Sequence, residues 1–161
     1  MVSEKSADRK AARTMARDRR MAAIHEAGHV VISRRAGLLV ESAWIEPTDN
    51  PVWPDEKTWI GHTRLGSSLT KCAPHERRMI GVAGAVAEAV WSGDDVDEEE
   101  QWQWREVMSE SDWHIVGCAP GDPDEACFAA INQTATLLAG SLRRPLLREA
   151  RRLIVESRPY G

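Results

Sequence analysis

Residues 21–35 read MAAIHEAGHVVISRR, and this stretch carries most of what the sequence predicts about the fold. Ala, Met and Arg favour helices, and the apolar residues recur on one side of a helical projection, so an amphipathic helix with a buried face is predicted. Residues of the same kinds continue back to Asp8, and Gly37 offers a C-terminal stop. The predicted helix therefore spans 8–35, and residues 1–7 are expected to be flexible.

Inside this helix stands the HExxH pattern His25-Glu26-Ala27-Gly28-His29. Positions i and i+4 lie on one face of a helix, so both imidazoles can reach one ion. Glu26 then lies beside the metal, where it can take a proton from water and pass it to a leaving amine. The pattern predicts a zinc site of the metalloprotease type, with His25 and His29 as ligands and Glu26 as the catalytic base.

Two histidines leave the site one ligand short, because a catalytic zinc takes three protein ligands and keeps one open position. The extended pattern HExxHxxGxxH would supply the third ligand nearby, but Ile32 and Arg35 occupy its last two defined positions. The third ligand must therefore come from a distant part of the chain. The candidates are Glu88, Asp112, His114, His62 and His75.

The rest of the sequence predicts a mainly α fold with a small β-hairpin-like sheet, in a single domain over 1–161. Strands are predicted at 40–45 and 58–65, on either side of a proline-rich loop. Pro145 is expected to start or kink a late helix. The other helices are predicted at 74–92, 101–108 and 112–116, and over a long region after residue 123.

Composition narrows the classes of function. The net charge of −4 is unevenly spread: residues 1–35 carry nine Lys/Arg against four Asp/Glu, 94–112 carry nine Asp/Glu, and 143–158 carry six Arg. An overall acidic chain argues against nucleic-acid binding. Three cysteines without a CxxC pair predict a reduced, cytoplasmic setting. No apolar run is long enough to predict a transmembrane helix, and no signal peptide is predicted.

Four parts of the sequence, in this order, resemble the peptidase domain of the FtsH-like zinc proteases, which are associated with AAA+ ATPases. They are 23–31 (AIHEAGHVV), the strand pair 44–47 (WIEP) and 60–63 (IGHT), 83–89 (AGAVAEA), and 109–112 (SESD). The resemblance as a whole covers about residues 12–155, and these four parts are where it is most evident.

The resemblance implies a role for individual residues. Asp112 matches the aspartate that is the family's third zinc ligand, whereas Glu88 is expected to support the site without binding the metal. A peptide substrate is expected to add as a strand along 58–65, where backbone hydrogen bonds give sequence-tolerant affinity. Gly61 would allow close approach there, although a bulge or turn explains it equally well. The expected substrate-binding residues are Ile60, Gly61, His62 and Thr63.

The sequence departs from the family at several positions. The family's arginine, second glutamate and tyrosine are replaced here by Ala85, Ala89 and His62. No GxxxxGK[S/T] segment is present, so the resemblance is to the peptidase domain without the ATPase domain. It implies a zinc-dependent endopeptidase-like hydrolase that acts on short or unfolded peptides, with a homo-oligomer or a separate ATPase as partner.

Two other interpretations stay open. A catalytically silent module could retain a structural zinc and bind a partner through the acidic run 94–100 and the pair Trp102 and Trp104. Intact Glu26 argues against that module, because a structural site has no use for a general base. In a metal-free helical protein His25 and His29 would only pack or hydrogen-bond, and the four family-like parts would be coincidental.

Overall fold

A computed structural model of the protein describes residues 4–49, 57–94, 108–117 and 125–157. Over these ranges the chain is mainly helical with one small two-stranded sheet, as the sequence predicts. A 3-10 turn at Leu69–Lys71 leads from the sheet into the second helix. The elements, in chain order, are α1 (Glu4–Arg35), β1 (Val40–Pro47), β2 (Trp59–Leu65), α2 (Pro74–Ser92), α3 (Glu110–Val116), α4 (Glu125–Ala139) and α5 (Arg143–Glu156).

The element bounds follow local sequence signals closely. Helix α2 has Pro74 in its first turn and ends at Gly93, whose φ of 74° is the left-handed conformation that closes many helices. Helix α1 begins at Glu4, so residues 4–7 are helical where flexibility was predicted. Strand β1 runs two residues further than predicted, because Pro47 still pairs with Trp59. The predicted helix at 101–108 lies outside the described residues except for Met108.

Helix α1 changes character halfway along its 32 residues, a length of about 48 Å. The half before Met21 is largely exposed. From Ala22 to Ser33 burial extends to almost every side of the helix rather than to the one face predicted. This half is buried on almost every side because α2, α5 and both strands pack around it. The HExxH residues therefore lie at the centre of the domain.

The antiparallel sheet is fastened to α1 by polar contacts near the start of β2. Asp18 Oδ2 accepts hydrogen bonds from Thr58 N at 2.9 Å and from Thr58 Oγ1 at 2.8 Å. At the next residue of each element, the guanidinium of Arg19 lies 5.1 Å from the ring centroid of the buried Trp59. Arg19 also donates to Ser157 at the end of α5. These contacts fix where β2 passes over α1.

Close approach of α1 and α2 depends on Gly28, in the middle of the HExxH pattern. A Cβ at this position would lie 2.5 Å from the carbonyl oxygen of Ala83 and 2.8 Å from the Cβ of Ala87. Both distances are far below van der Waals contact, so any side chain at residue 28 would push the helices apart. Gly28 therefore sets the spacing on which the site is built.

We expect Gly28→Ala to lower the free energy of unfolding by about 1–3 kcal/mol, the usual cost of overpacking. Intrinsic helix preference favours Ala over Gly by about 1 kcal/mol. Helix propensity alone would therefore predict that Gly28→Ala stabilises the protein, the opposite of what we expect. Urea denaturation would measure the change. Ala16→Gly, at an exposed position of the same helix, measures how much helix propensity alone changes the free energy of unfolding. A stabilised Gly28→Ala protein would contradict the tight helix contact.

Candidate metal centre

The structure brings His25, His29 and Asp112 together in one cluster. The two histidines lie one turn apart on α1, and their Nε2 atoms are 3.2 Å apart. Asp112, near the start of α3, approaches both rings: Oδ2 lies 3.3 Å from His25 Nε2 and Oδ1 lies 3.3 Å from His29 Nε2. Three potential ligand atoms thus surround one point.

These distances fit a small cation. Ligands held 2.0–2.1 Å from a zinc ion in tetrahedral geometry lie about 3.3 Å from one another. Asp112 Oδ2 is buried and, although it is 3.3 Å from His25 Nε2, makes no hydrogen bond of acceptable geometry. A buried carboxylate oxygen without a partner is costly, and a cation at the shared point would satisfy it. The residues present therefore fit a metal.

Both imidazoles are oriented by the nitrogen that faces away from the cluster. His29 Nδ1 donates to the carbonyl oxygen of Ile80 at 2.8 Å, which leaves Nε2 as the free ligand atom. His25 Nδ1 lies 3.3 Å from Glu88 Oε2. Such partners fix the tautomer and the ring plane of metal-binding histidines. Glu88 therefore contacts a candidate ligand from behind and does not approach the shared point as a ligand.

Two glycines of α2 make room for the cluster. A Cβ at Gly84 would run into the ring of His25, which covers this position. A Cβ at Gly81 would lie 2.6 Å from the backbone nitrogen of Val116 and 2.9 Å from the carbonyl oxygen of Asp112, so Gly81 lets α3 lie directly on α2. Ser109 caps α3 by accepting from Asp112 N at 3.2 Å. Asp112 is thereby held facing the histidines.

Glu26 lies beside the cluster and is only 7% exposed. Thr63 Oγ1 donates a short hydrogen bond of 2.5 Å to Glu26 Oε2. Gly61, two residues earlier in β2, lies against the same side chain, because a Cβ there would collide with Glu26 Cγ and lie 2.8 Å from Oε1. The inner face of β2 therefore contacts the carboxylate that the sequence predicts as a general base.

The cluster opens into a cleft of about 860 Å³. Its lining follows one stripe of α1 from Thr14 to Ser33, roughly 28 Å of helix, with the histidines near the middle. Arg17 lines the cleft from the exposed half of α1, and Lys57 lines it with its Nζ 4.0 Å from Glu88 Oε1. The lining from β2 consists of Trp59, Ile60, Gly61, His62, Thr63 and Leu65.

The charges of the cluster are strongly coupled. Burial lowers the pKa of His25, but the carboxylates of Asp112 and Glu88 outweigh burial and raise that pKa to about 10. Burial raises the pKa of Asp112, but both imidazoles outweigh it and hold that pKa well below the usual range. Without a cation, therefore, His25 holds a proton and Asp112 is ionised at neutral pH. A metal ion would take the place of the His25 proton.

The remaining candidates for a third ligand are engaged elsewhere. His62 stacks on Trp44 with ring centroids 4.9 Å apart, and its Nε2 lies 3.1 Å from Glu46 Oε1. His75 hydrogen-bonds to Gln133 on α4. His114 is exposed on α3, two residues beyond Asp112 and outside the cluster. Among the described residues, the metal-binding geometry is found at His25, His29 and Asp112.

Several contributors were not found by sequence reasoning. The Ile80 carbonyl carries no side-chain signal, since any residue could supply it. Gly81 and Gly84 do leave a signal: small residues three apart in an otherwise apolar helix indicate that other elements approach closely at those positions. The bond from Thr63 to Glu26 joins residues 37 positions apart and follows only from how β2 crosses α1.

Comparison with known proteins adds no identification. No protein-family model matches this chain, and no curated protein matches it either. In the described part of the chain, no helix combines the length and apolar character needed to cross a membrane.

We expect metal affinity to rise with pH through and beyond neutrality. Because the raised pKa keeps His25 protonated up to about pH 10, each bound metal must displace that proton. The apparent association constant for zinc should increase about tenfold per pH unit between pH 7 and 8.5. Chelator competition at several pH values would measure it. An imidazole with an ordinary pKa of about 6.5 would instead give a plateau above pH 7.5.

Proposed function

We propose that this protein is a zinc-dependent metallo-endopeptidase-like hydrolase of the type found in the FtsH-like peptidase domain. One observation carries the proposal: His25, His29 and Asp112 surround a single point, and the buried carboxylate of Glu26 stands beside them in an open cleft. Support for the family type comes from the four family-like parts of the sequence, which supply all four of these residues.

The donor set favours zinc. Two imidazoles and one carboxylate are the protein ligands of many catalytic zinc sites, which keep a fourth position open. Calcium and magnesium prefer all-oxygen sites, so the two histidines argue against them. When bound, zinc supplies Lewis-acid polarisation of a carbonyl and acidifies water.

The protein's own residues would supply the proton transfers. Glu26 accepts a proton from the attacking water on its carboxylate and delivers it to the nitrogen of the leaving amine. Its position next to His25 in the chain keeps it within reach of the site without making it a ligand. Burial around Glu26 excludes bulk water, which strengthens its electrostatic interactions with a reacting peptide.

The substrate class follows from the shape of the cleft and from β2. Strand β2 pairs with β1 along one edge, and within the described ranges no strand pairs with its other edge. An extended peptide could add there through backbone hydrogen bonds, with Ile60, Gly61, His62 and Thr63 as the contact strand. The 28 Å of lined helix matches about eight extended residues. Short or unfolded peptides meet this requirement, whereas folded proteins would need a separate ATPase to unfold them; a homo-oligomer is the alternative partner state.

We expect Glu26→Gln to retain zinc while losing peptide hydrolysis by on the order of 10²–10⁴-fold, because the amide cannot accept the proton. Zinc content would be measured by elemental mass spectrometry and cleavage with fluorescently labelled, unfolded casein. Glu149→Gln is the matched control, since Glu149 is also 7% exposed but pairs with Arg34 and Arg152, and none of these three residues lines the cleft.

Three outcomes separate the alternatives. Loss of zinc in Glu26→Gln would contradict the role of general base. Full cleavage by the same variant would contradict it as well. A wild-type protein that holds zinc but cuts nothing would identify a catalytically silent zinc-binding module.

A further inference from the structure

The two oxygens of Glu26 have different surroundings. Oε2 accepts the short hydrogen bond from Thr63 Oγ1. Oε1 accepts no hydrogen bond within the described part of the chain, and it packs against the backbone of Gly61, where a Cβ would lie only 2.8 Å from it. One oxygen is therefore held by a hydrogen bond, whereas the other has none.

Thr63 and Gly61 produce this asymmetry from the same face of β2, because residues two apart in a strand point the same way. The cross-strand neighbours of these two residues are Ala43 and Ile45, which carry no polar side-chain atoms. The Thr63 hydroxyl consequently has Glu26 as its side-chain partner. A glutamate has three rotatable side-chain bonds, so one fixed oxygen restricts a carboxylate that would otherwise sample several orientations.

We propose that Thr63 is a positioning residue for Glu26: its hydroxyl holds Oε2, so that Oε1, beside Gly61, is the oxygen that exchanges protons. The proposal rests on the function proposed above and deepens it. It also gives β2 two roles, since the strand whose edge would pair with substrate also orients the base. Strand β2 alone would then determine which residue of a bound peptide lies next to Oε1.

A purely structural role for Thr63 would give a different result when its hydroxyl is removed. If its hydroxyl only stabilised the fold, removing it would lower stability without a specific effect on turnover. Thr136 provides the comparison: its hydroxyl also donates a hydrogen bond, to the carbonyl oxygen of Asn132 at 3.0 Å, but it lies on α4 and does not line the cleft.

The first experiment compares Thr63→Val, Thr63→Ser and Thr136→Val, each loaded with zinc and assayed on the same unfolded casein. We expect Thr63→Val to lower kcat by on the order of 10- to 100-fold with KM and zinc content unchanged, the signature of a misplaced catalytic group. Thr63→Ser should recover most of kcat, because it restores the hydroxyl. Thr136→Val should keep kcat. Unchanged kcat in Thr63→Val would overturn the proposal.

The second experiment needs no turnover. Melting temperatures of the metal-free protein are measured for Thr63→Val in the wild-type background and in Glu26→Ala. We expect Thr63→Val to lower Tm by roughly 3–10 °C when Glu26 is present and by much less when the acceptor is absent. Equal shifts in both backgrounds would overturn the proposal. If wild type shows this coupling but cleaves nothing, the hydrolase assignment fails while the hold of Thr63 on Glu26 stands.

Discussion

The burial of one carboxylate, Asp112, against two imidazoles is the constraint on which the rest of this structure depends. A charged oxygen in a largely desolvated position is tolerated only when opposite charge or hydrogen bonds compensate it. The compensation is a proton on His25, which a metal ion could replace. The same charge that destabilises the metal-free site would therefore favour a cation at the point shared by the three side chains.

The three side chains are brought together by close packing of helix backbones at glycines rather than by the reach of long side chains. Gly28 brings α1 onto α2, Gly81 brings α3 onto α2, and Gly84 lies under the ring of His25. The carbonyl of Ile80 then orients His29. Small residues at the crossing points let three helices converge to the few ångströms that metal coordination demands. A substitution at any of these glycines would alter the site, although no glycine is itself a ligand.

Much of this arrangement could be predicted from sequence, for local reasons. The i, i+4 spacing of His25 and His29 and the bounds of α2 depend on residues within one or two turns of each other. Asp112 was singled out by family resemblance, because spacing alone left five candidates. The contact of Thr63 with Glu26 and the role of Gly81 depend on how distant elements cross, which no local pattern specifies.

The most direct measurement is zinc per chain by elemental mass spectrometry, after reconstitution and removal of loosely bound metal. Wild type is compared with Asp112→Ala and with Glu110→Ala, an exposed carboxylate of the same helix as a control. We expect about one zinc in wild type and in Glu110→Ala, and a small fraction of that in Asp112→Ala. An empty wild-type protein, or an Asp112→Ala protein that binds zinc as fully and tightly as wild type, would contradict it.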